Sequence, residues 1–320
     1  MAKAVSKVAP RSLQLPALFA PDPNAVRRFL EFFAANIRNP HTRRAYARAA
    51  AEFANWCETA EIRELRDIEP MHVAAYIEGL QQRLAAPSVK QHLAAIRMLF
   101  DWLVVGQVLA VNPASPVRGP KYSVKKGKTA VLSAEEARKL LDSIPSDSQA
   151  GLRDRALIAL MVYTFARIGA ALKMRVEDVY MQKRRTWVRL HEKGGKHHEM
   201  PCHHNLETYL HIYLDKTGLS HLPKAHLFPT AHWRSGILSE RPMSQSDAYR
   251  MIRRRATEAG IRTKIGNHSF RATGITEYLR NGGRREVAQQ MANHESARTT
   301  GLYDRRDDDV SLDEIERIVI

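Results

Sequence analysis

Apolar positions recur at helical spacing through most of this chain, and strand-like alternation is confined to a short stretch past its middle. The first periodic run, AVRRFLEFFAANI, starts at Asn24. After Asn39-Pro40, HTRRAYARAAAEFANWC sets Tyr46, Ala49, Phe53 and Trp56 on one helical face, with Thr42 as the N-cap. A third helix opens at Pro70 and buries Val73, Tyr76, Ile77, Leu80 and Leu84. A fourth follows Ser88, striped by Val89, Leu93, Ile96, Phe100 and Leu103. These four helices predict an all-α domain over 24–112. Before it, residues 1–23 carry Pro10, Pro16, Pro21 and Pro23 without a sustained period, which predicts an irregular arm.

Residues 113–130 form a linker rich in proline, and a second domain spans 131–310. Ser133 and Glu136 in LSAEEARKLLDSI make a capping-box signature, with Leu140, Leu141 and Ile144 as the apolar face. The longest apolar stretch, ALIALMVYTFA, predicts a buried helix around 152–165 that ends at Phe165-Ala166-Arg167. RTWVRL and HHEMP then read as two short strands around Glu192-Lys193-Gly194-Gly195, a hairpin. Further helices follow in NLETYLHIYLDK and from Ser244 to Ala259, closed by Gly260. At the tail, Ser311 and Glu314 repeat the capping spacing, and Leu312, Ile315 and Val319 share a stripe. They predict a helix over 311–320 that needs a docking surface to persist. The fold class is mainly α with a small antiparallel β-sheet, in two domains, without internal repeat or low-complexity tract.

Composition narrows the partners. At 320 residues and 44% apolar content the chain can fill two cores. A net charge of +16 and a pI near 10.0 point to a polyanion, of which nucleic acid is the usual one. The linker alone holds Arg118, Lys121, Lys125, Lys126 and Lys128 with no acid. Cys57 and Cys202 stand far apart and imply no disulfide framework. No N-terminal stretch fits a signal peptide and no apolar run approaches the ~18 residues of a membrane span, so a soluble cytoplasmic protein is expected. KHHEMPCHH at 196–204 crowds four histidines around Cys202. Its spacing fits no zinc finger, and strand alternation points neighbours to opposite faces, so no metal is expected there.

The chemistry concentrates near the C-terminus. NHSFRATG at 267–274 and ANHESARTTGLYDR at 292–305 place His268, Arg271, His294 and Tyr303 within 36 residues. Together they suit attack on a phosphodiester. Arginine offers a planar fork of donors to phosphate oxygens, histidines move protons near neutral pH, and a tyrosine hydroxyl can act as a covalent nucleophile. Upstream, Arg167 directly follows a strongly apolar helix, where a guanidinium needs an anionic partner or a wet site.

The order Arg167, Lys193 on a hairpin, His268-x-x-Arg271, His294 and Tyr303 resembles the tyrosine recombinase (phage integrase) family. The spacing of nine residues from His294 to Tyr303 and the Thr299-Thr300 pair match that family's pattern. TRRAYARAAAEFANWC and SVKQHLAAIRMLFDWLVVGQVLAVNPA look like its SAM-like core-binding domain, so the likeness covers roughly 24–310. The resemblance implies a DNA-clamping domain over 24–112 and a catalytic domain over 131–310. It implies that Arg167 and Arg271 bind the non-bridging phosphate oxygens and stabilise the pentacoordinate transition state. Lys193 would be the general acid for the leaving 5′ oxygen, with Lys196 left open as the alternative. His268 would be base or proton relay, His294 a donor to the phosphate, and Tyr303 the nucleophile of a 3′-phosphotyrosyl intermediate. That intermediate keeps the energy of the broken bond, so neither metal nor nucleotide cofactor is expected.

The implied function is a site-specific DNA recombinase or integrase acting as a homotetramer on double-stranded DNA with paired half-sites. A type IB topoisomerase-like relaxase and a catalytically decayed DNA-binding protein are the alternatives. Candidate DNA contacts are Arg43, Arg44, Arg48, Lys90 and Arg97 in the first domain and Lys121, Lys125, Lys126 and Lys128 in the linker. Arg250, Arg253 and Arg254 join them on the helix after Ser244. The tail helix would dock on its own domain or on a neighbouring protomer. Two positions depart from the family pattern. Ala170 in ARIGAALK stands where an acid usually follows the first arginine by three residues, with Glu177 or Asp178 as candidate substitutes. Asn293 stands where glycine is common before the second histidine.

Overall fold

Proline at the start of a helix removes only an N–H that would have no helical partner. All four helices of the first unit use it. In the computed structural model, which describes residues 16–123, 127–192, 197–232, 234–304 and 316, they are α1 (Pro23–Glu31), α2 (Pro40–Thr59), α3 (Pro70–Arg83) and α4 (Ala86–Val105). The chain separates into two compact units, Met1–Ser123 and Val124–Ile320. Asp22 caps α1, accepting from the amides of Asn24 at 2.7 Å and Ala25 at 3.0 Å. The cap of α2 is Asn39 rather than Thr42, because Pro40 already occupies the first helical position. For the same reason α4 starts at Ala86, ahead of Pro87, and not after Ser88.

Aromatic rings fill this unit's core. Phe19 stacks on Phe29 at 5.1 Å, and Phe53 meets Tyr76 edge-on at 5.1 Å. Leu18 and Phe19 belong to the stretch read as an irregular arm, yet they form a 3₁₀ turn and are buried. The end of the arm is therefore part of the core. Beyond α4 the chain turns back along it. Asn112 caps the amide of Ala114 at 2.8 Å, and the Arg97 guanidinium donates to the carbonyls of Ala114 and Val117.

The second unit is arranged around one enclosed helix. Its helices in order are α5 (Ala134–Ser143), α6 (Gln149–Tyr163), the short α7 (Ile168–Ala171), α8 (His204–Thr217) and α9 (Gln245–Glu258). The last three are α10 (Ser269–Arg280), α11 (Arg285–Met291) and α12 (Ala297–Gly301). Ala156 to Met161 on α6 are buried without a break, as their uninterrupted apolar run requires. The Ser133–Glu136 box forms with both bonds at 3.1 Å, and Ser244 with Asp247 makes a second box at α9.

A three-stranded antiparallel sheet holds β1 (Val179–Gln182), β2 (Arg185–His191) and β3 (His197–Pro201) in that order. The two predicted strands are β2 and β3. β1 adds to them through a two-residue turn at Lys183-Arg184, where both residues have positive φ, 45° and 65°. Neither is glycine or asparagine, so the turn carried no sequence signal. β4 (Pro229–Ala231) pairs separately with β5 (Leu238–Pro242).

Two apolar clusters fill the unit. The larger surrounds α6; the smaller holds Phe165, Ile275, Leu279, Ala288 and Ala292. No helix among the described residues is long and apolar enough to cross a membrane. The expected tail helix over 311–320 falls, save for Glu316, outside the described residues.

Candidate active site

Four segments far apart in sequence meet around the guanidinium of Arg271. Its helix, α10, closely approaches the end of α6 because position 274 is glycine. A Cβ on Gly274 would stand 2.1 Å from the Val162 carbonyl oxygen and 2.8 Å from the Phe165 ring. This approach buries Arg271, which donates through Nη1 to the carbonyl of Phe165 and through Nη2 to that of Ala292. Both acceptors lie at left-handed corners. Phe165 itself has φ 54°, and Asn293, next to Ala292, has φ 47°. Left-handed backbone is tolerated by asparagine and costly for an aromatic residue, on the order of 1–3 kcal/mol. Asn293 thus takes the family's glycine position with a residue suited to the same backbone.

Each corner delivers a candidate site residue. Two residues after Phe165, Arg167 stands at the N-cap of α7 and binds the buried Glu192 carboxylate, Nη1 to Oε2, at 2.7 Å. The residue after Asn293 is His294, buried, with Nδ1 2.9 Å from the Thr300 hydroxyl. Burial, and then the charges of Arg271 and Arg167, push the His294 pKa down to about 4, so its ring is neutral at pH 7. His268 immediately precedes α10. It keeps an exposed edge, yet the protein packed behind it, with Arg271 and Arg167, holds its pKa below the usual histidine range. Burial and Arg167 lower Arg271 to about 10, which leaves it charged; Tyr303 and Glu192 act in the opposite direction.

Tyr303 stacks on the His294 ring, with centroids 5.7 Å apart and planes 10° from parallel. Its backbone is held on three sides. The Tyr303 carbonyl accepts from the Thr276 hydroxyl at 2.9 Å, Leu302 O accepts from Gly127 N at 2.9 Å, and Asp304 pairs with Arg285 at 2.7 Å. The structure therefore brings together five predicted residues: Arg167, His268, Arg271, His294 and Tyr303. Lys193 and its alternative Lys196 lie outside the described residues, as do Lys125 and Lys126.

The acid partner of Arg167 is not among those expected from the sequence. Glu177 is exposed, and Asp178 is engaged elsewhere, accepting from His191 Nε2 and from the Arg175 amide, each at 2.8 Å. Glu192 takes the place instead. A signal for it existed: Thr186, Val188 and Leu190 alternate inward along β2, and two residues further the same face reaches Glu192.

The candidate DNA contacts differ in exposure and in the partners that hold some of them. Arg44, Lys90, Lys121, Lys128 and Arg253 are exposed. Arg48 pairs with Glu52 at 2.7 Å, Arg250 with Asp247, and Arg254 reaches Asp154 at 3.4 Å. Arg43 donates to the Ile37 carbonyl at 2.9 and 3.0 Å, and Arg97 holds the chain after α4, so both serve their own unit. The histidines of 196–204 diverge: His203 stacks on Tyr163 at 4.3 Å, and His198 Nε2 meets the Met291 carbonyl at 3.0 Å. Burial pushes the Cys202 thiol up to about 12. Among the described residues no group of three or more His, Cys, Asp or Glu could hold a metal ion.

Two guanidiniums, two histidines of lowered basicity and a tyrosine make a cluster suited to an oxyanion bearing developing charge. Comparison with known proteins agrees in kind. Residues 130–309 match the Phage integrase family and residues 26–106 match Phage integrase, N-terminal SAM-like domain. The chain is 29% identical over 269 residues to tyrosine recombinase XerD of Corynebacterium glutamicum, covering 81% of this chain and 85% of that protein. It is 26% identical over 297 residues to tyrosine recombinase XerC of Xanthomonas campestris pv. campestris, covering 91% and 88%. In structure it resembles the XerH site-specific recombinase bound to a palindromic difH substrate, with TM-score 0.69, 17% identity and coverage of 99% and 92%. A lambda integrase dimer bound to a COC′ core site gives TM-score 0.67, 18% identity and coverage of 90% and 79%. These two likenesses establish the fold.

Proposed function

The chain belongs to the phage integrase family, and we propose that it recombines DNA at specific sites through a covalent 3′-phosphotyrosyl intermediate. It is an enzyme of the tyrosine recombinase type, as its curated relatives are. The observation that carries the mechanism is the convergence on Arg271, where two strained or left-handed corners, Arg167, His294 and Tyr303 are joined through one buried guanidinium.

In the proposed step the Tyr303 oxygen bonds to phosphorus and the bond from phosphorus to the 5′ oxygen breaks. His268 takes the phenol proton, and Lys193, or Lys196 in its place, returns one to the leaving oxygen. Arg167 and Arg271 bind the non-bridging oxygens as charge builds on them, with His294 donating beside them. The phosphotyrosine retains the energy of the broken bond, so rejoining by a new 5′ hydroxyl needs neither metal nor nucleotide. Residues 24–112 would clamp the duplex, 131–310 would carry the chemistry and 113–130 would connect them. Lambda integrase has been solved as a tetramer bound to a Holliday junction, and we assign this chain a like assembly on paired half-sites.

A nicked suicide DNA substrate tests the reading. In EDTA the wild-type protein should form a denaturant-resistant adduct, and Tyr303→Phe should bind the same DNA without forming one. An adduct persisting in Tyr303→Phe refutes the nucleophile; no adduct on any bound site leaves a catalytically decayed DNA binder. A 5′-bridging phosphorothiolate, whose leaving group hardly needs an acid, should rescue Lys193→Ala; rescue of Lys196→Ala instead would move the general acid there.

A further inference from the structure

A carboxylate buried beside a phosphate-binding cluster needs a reason, because it opposes the ligand's own charge. The Glu192 side chain is 5% exposed and its one ion pair among the described residues is to Arg167, at 2.7 Å. The Arg167 side chain is 40% exposed, so the guanidinium is gripped on one edge while other donors face outward. Arg271, buried and bonded to the carbonyl of Phe165 two residues before Arg167, carries a charge that repels that of Arg167 and is favoured by Glu192. Like charges repel, and of the two Arg167, with solvent on its open side, is the one free to move. Ala170, one helical turn after Arg167, offers no carboxylate, and Asp178 is held by His191.

We propose that Glu192 is the positioning residue of this site: it holds Arg167 by one edge against the repulsion of Arg271, so that the opposite edge is aimed at the phosphate. The proposal rests on the recombinase reading above. It also explains how the chain lacks an acid at 170 and keeps an ordered arginine pair, since the carboxylate has moved from α7 to the end of β2. A positioning carboxylate has a distinctive signature. Its removal leaves the site more positive, so DNA binding does not weaken, while the transition state loses an aligned donor.

The test is single-turnover cleavage of the suicide substrate beside half-site affinity. E192Q, isosteric and neutral, should cleave about 30-fold more slowly or worse while binding DNA as tightly as wild type or tighter. Adding a carboxylate on α7 itself, in the double variant E192Q/A170E, should recover about tenfold of that loss, because the N-cap residue Arg167 and the third helical residue at 170 adjoin, as in a capping box. E192Q cleaving within about threefold of wild type would overturn the proposal. So would parallel losses of rate, affinity and melting temperature, which would mark a structural role. A double variant as slow as E192Q would overturn the claim that Arg167 needs a carboxylate there. A wild-type chain that forms no adduct is a separate result: it refutes the recombinase reading itself and this proposal with it.

Discussion

The large core around α6 and the small cluster of Phe165, Ile275, Leu279, Ala288 and Ala292 share one unit but close in different ways. In the large core, internal polar groups are satisfied by neighbours with no part in the chemistry. Asp154, fully buried, is bracketed by Arg153 and Arg255 at 2.6 and 2.9 Å, and the Tyr213 hydroxyl donates to Leu227 O at 2.7 Å. The small cluster turns two left-handed corners and leaves their carbonyls to Arg271. There the side chain that completes the packing is also the one proposed to meet the phosphate. Stability and function can be separated in the first region and not in the second.

Arg271→Ala probes this most strongly. We expect cleavage to fall by about 10³-fold, the scale of losing a transition-state donor. We also expect amide exchange to quicken at Ile275 and Leu279 while Ala156 to Met161 stay protected. Uniformly faster exchange in both regions would abolish the distinction. Next in size, Leu160→Ala and Leu279→Ala should each cost about 2–5 kcal/mol, but in different ways. Loss of Leu160 should lower the melting temperature of the whole unit, whereas loss of Leu279 should open the small cluster first and silence cleavage below that temperature. Equal melting curves with retained cleavage in Leu279→Ala would count against it.

The third probe is pH. His294 has its pKa depressed to about 4 in the folded protein, against 6.5 ordinarily. Between those values the unfolded chain binds a proton that the folded site refuses. His294 therefore contributes stability above pH 6.5 that is lost as pH falls toward 4, about 3 kcal/mol in all. Urea midpoints from pH 7 to 4 should drop more steeply for wild type than for His294→Gln; parallel slopes would contradict the assignment. The smallest effect is at Asn293, whose φ of 47° predicts that Asn293→Ala costs about 1 kcal/mol and Asn293→Gly only a few tenths. Denaturant midpoints of the two variants decide it.

Much of this was legible from neighbouring residues alone. The Ser133–Glu136 and Ser244 caps, the apolar stripes of the four N-terminal helices and the β2–β3 strands involve residues a few positions apart. Their hydrogen bonds and faces follow from spacing. The ordered series from Arg167 to Tyr303 was readable for the same reason, since it is a pattern of residue types along the chain. Other features carried no such signal. The turn at Lys183-Arg184 and the left-handed Phe165 use residues that usually avoid that backbone, and only surrounding packing holds them there.

The sequence by itself determined most of the helices, the pairing of β2 with β3 and which side chains are the candidates for phosphoryl chemistry. Tertiary structure alone decided their partners. Arg271 reaches carbonyls 106 and 21 residues away, Arg167 finds Glu192 25 residues on, and Arg97 turns from a candidate DNA contact into a tie for its own unit. A guanidinium has five donors and a long stem, so these three reach past their own neighbours in sequence. The acceptor is whichever buried oxygen the packed chain would otherwise leave unpaired, and that is known only once distant segments have met.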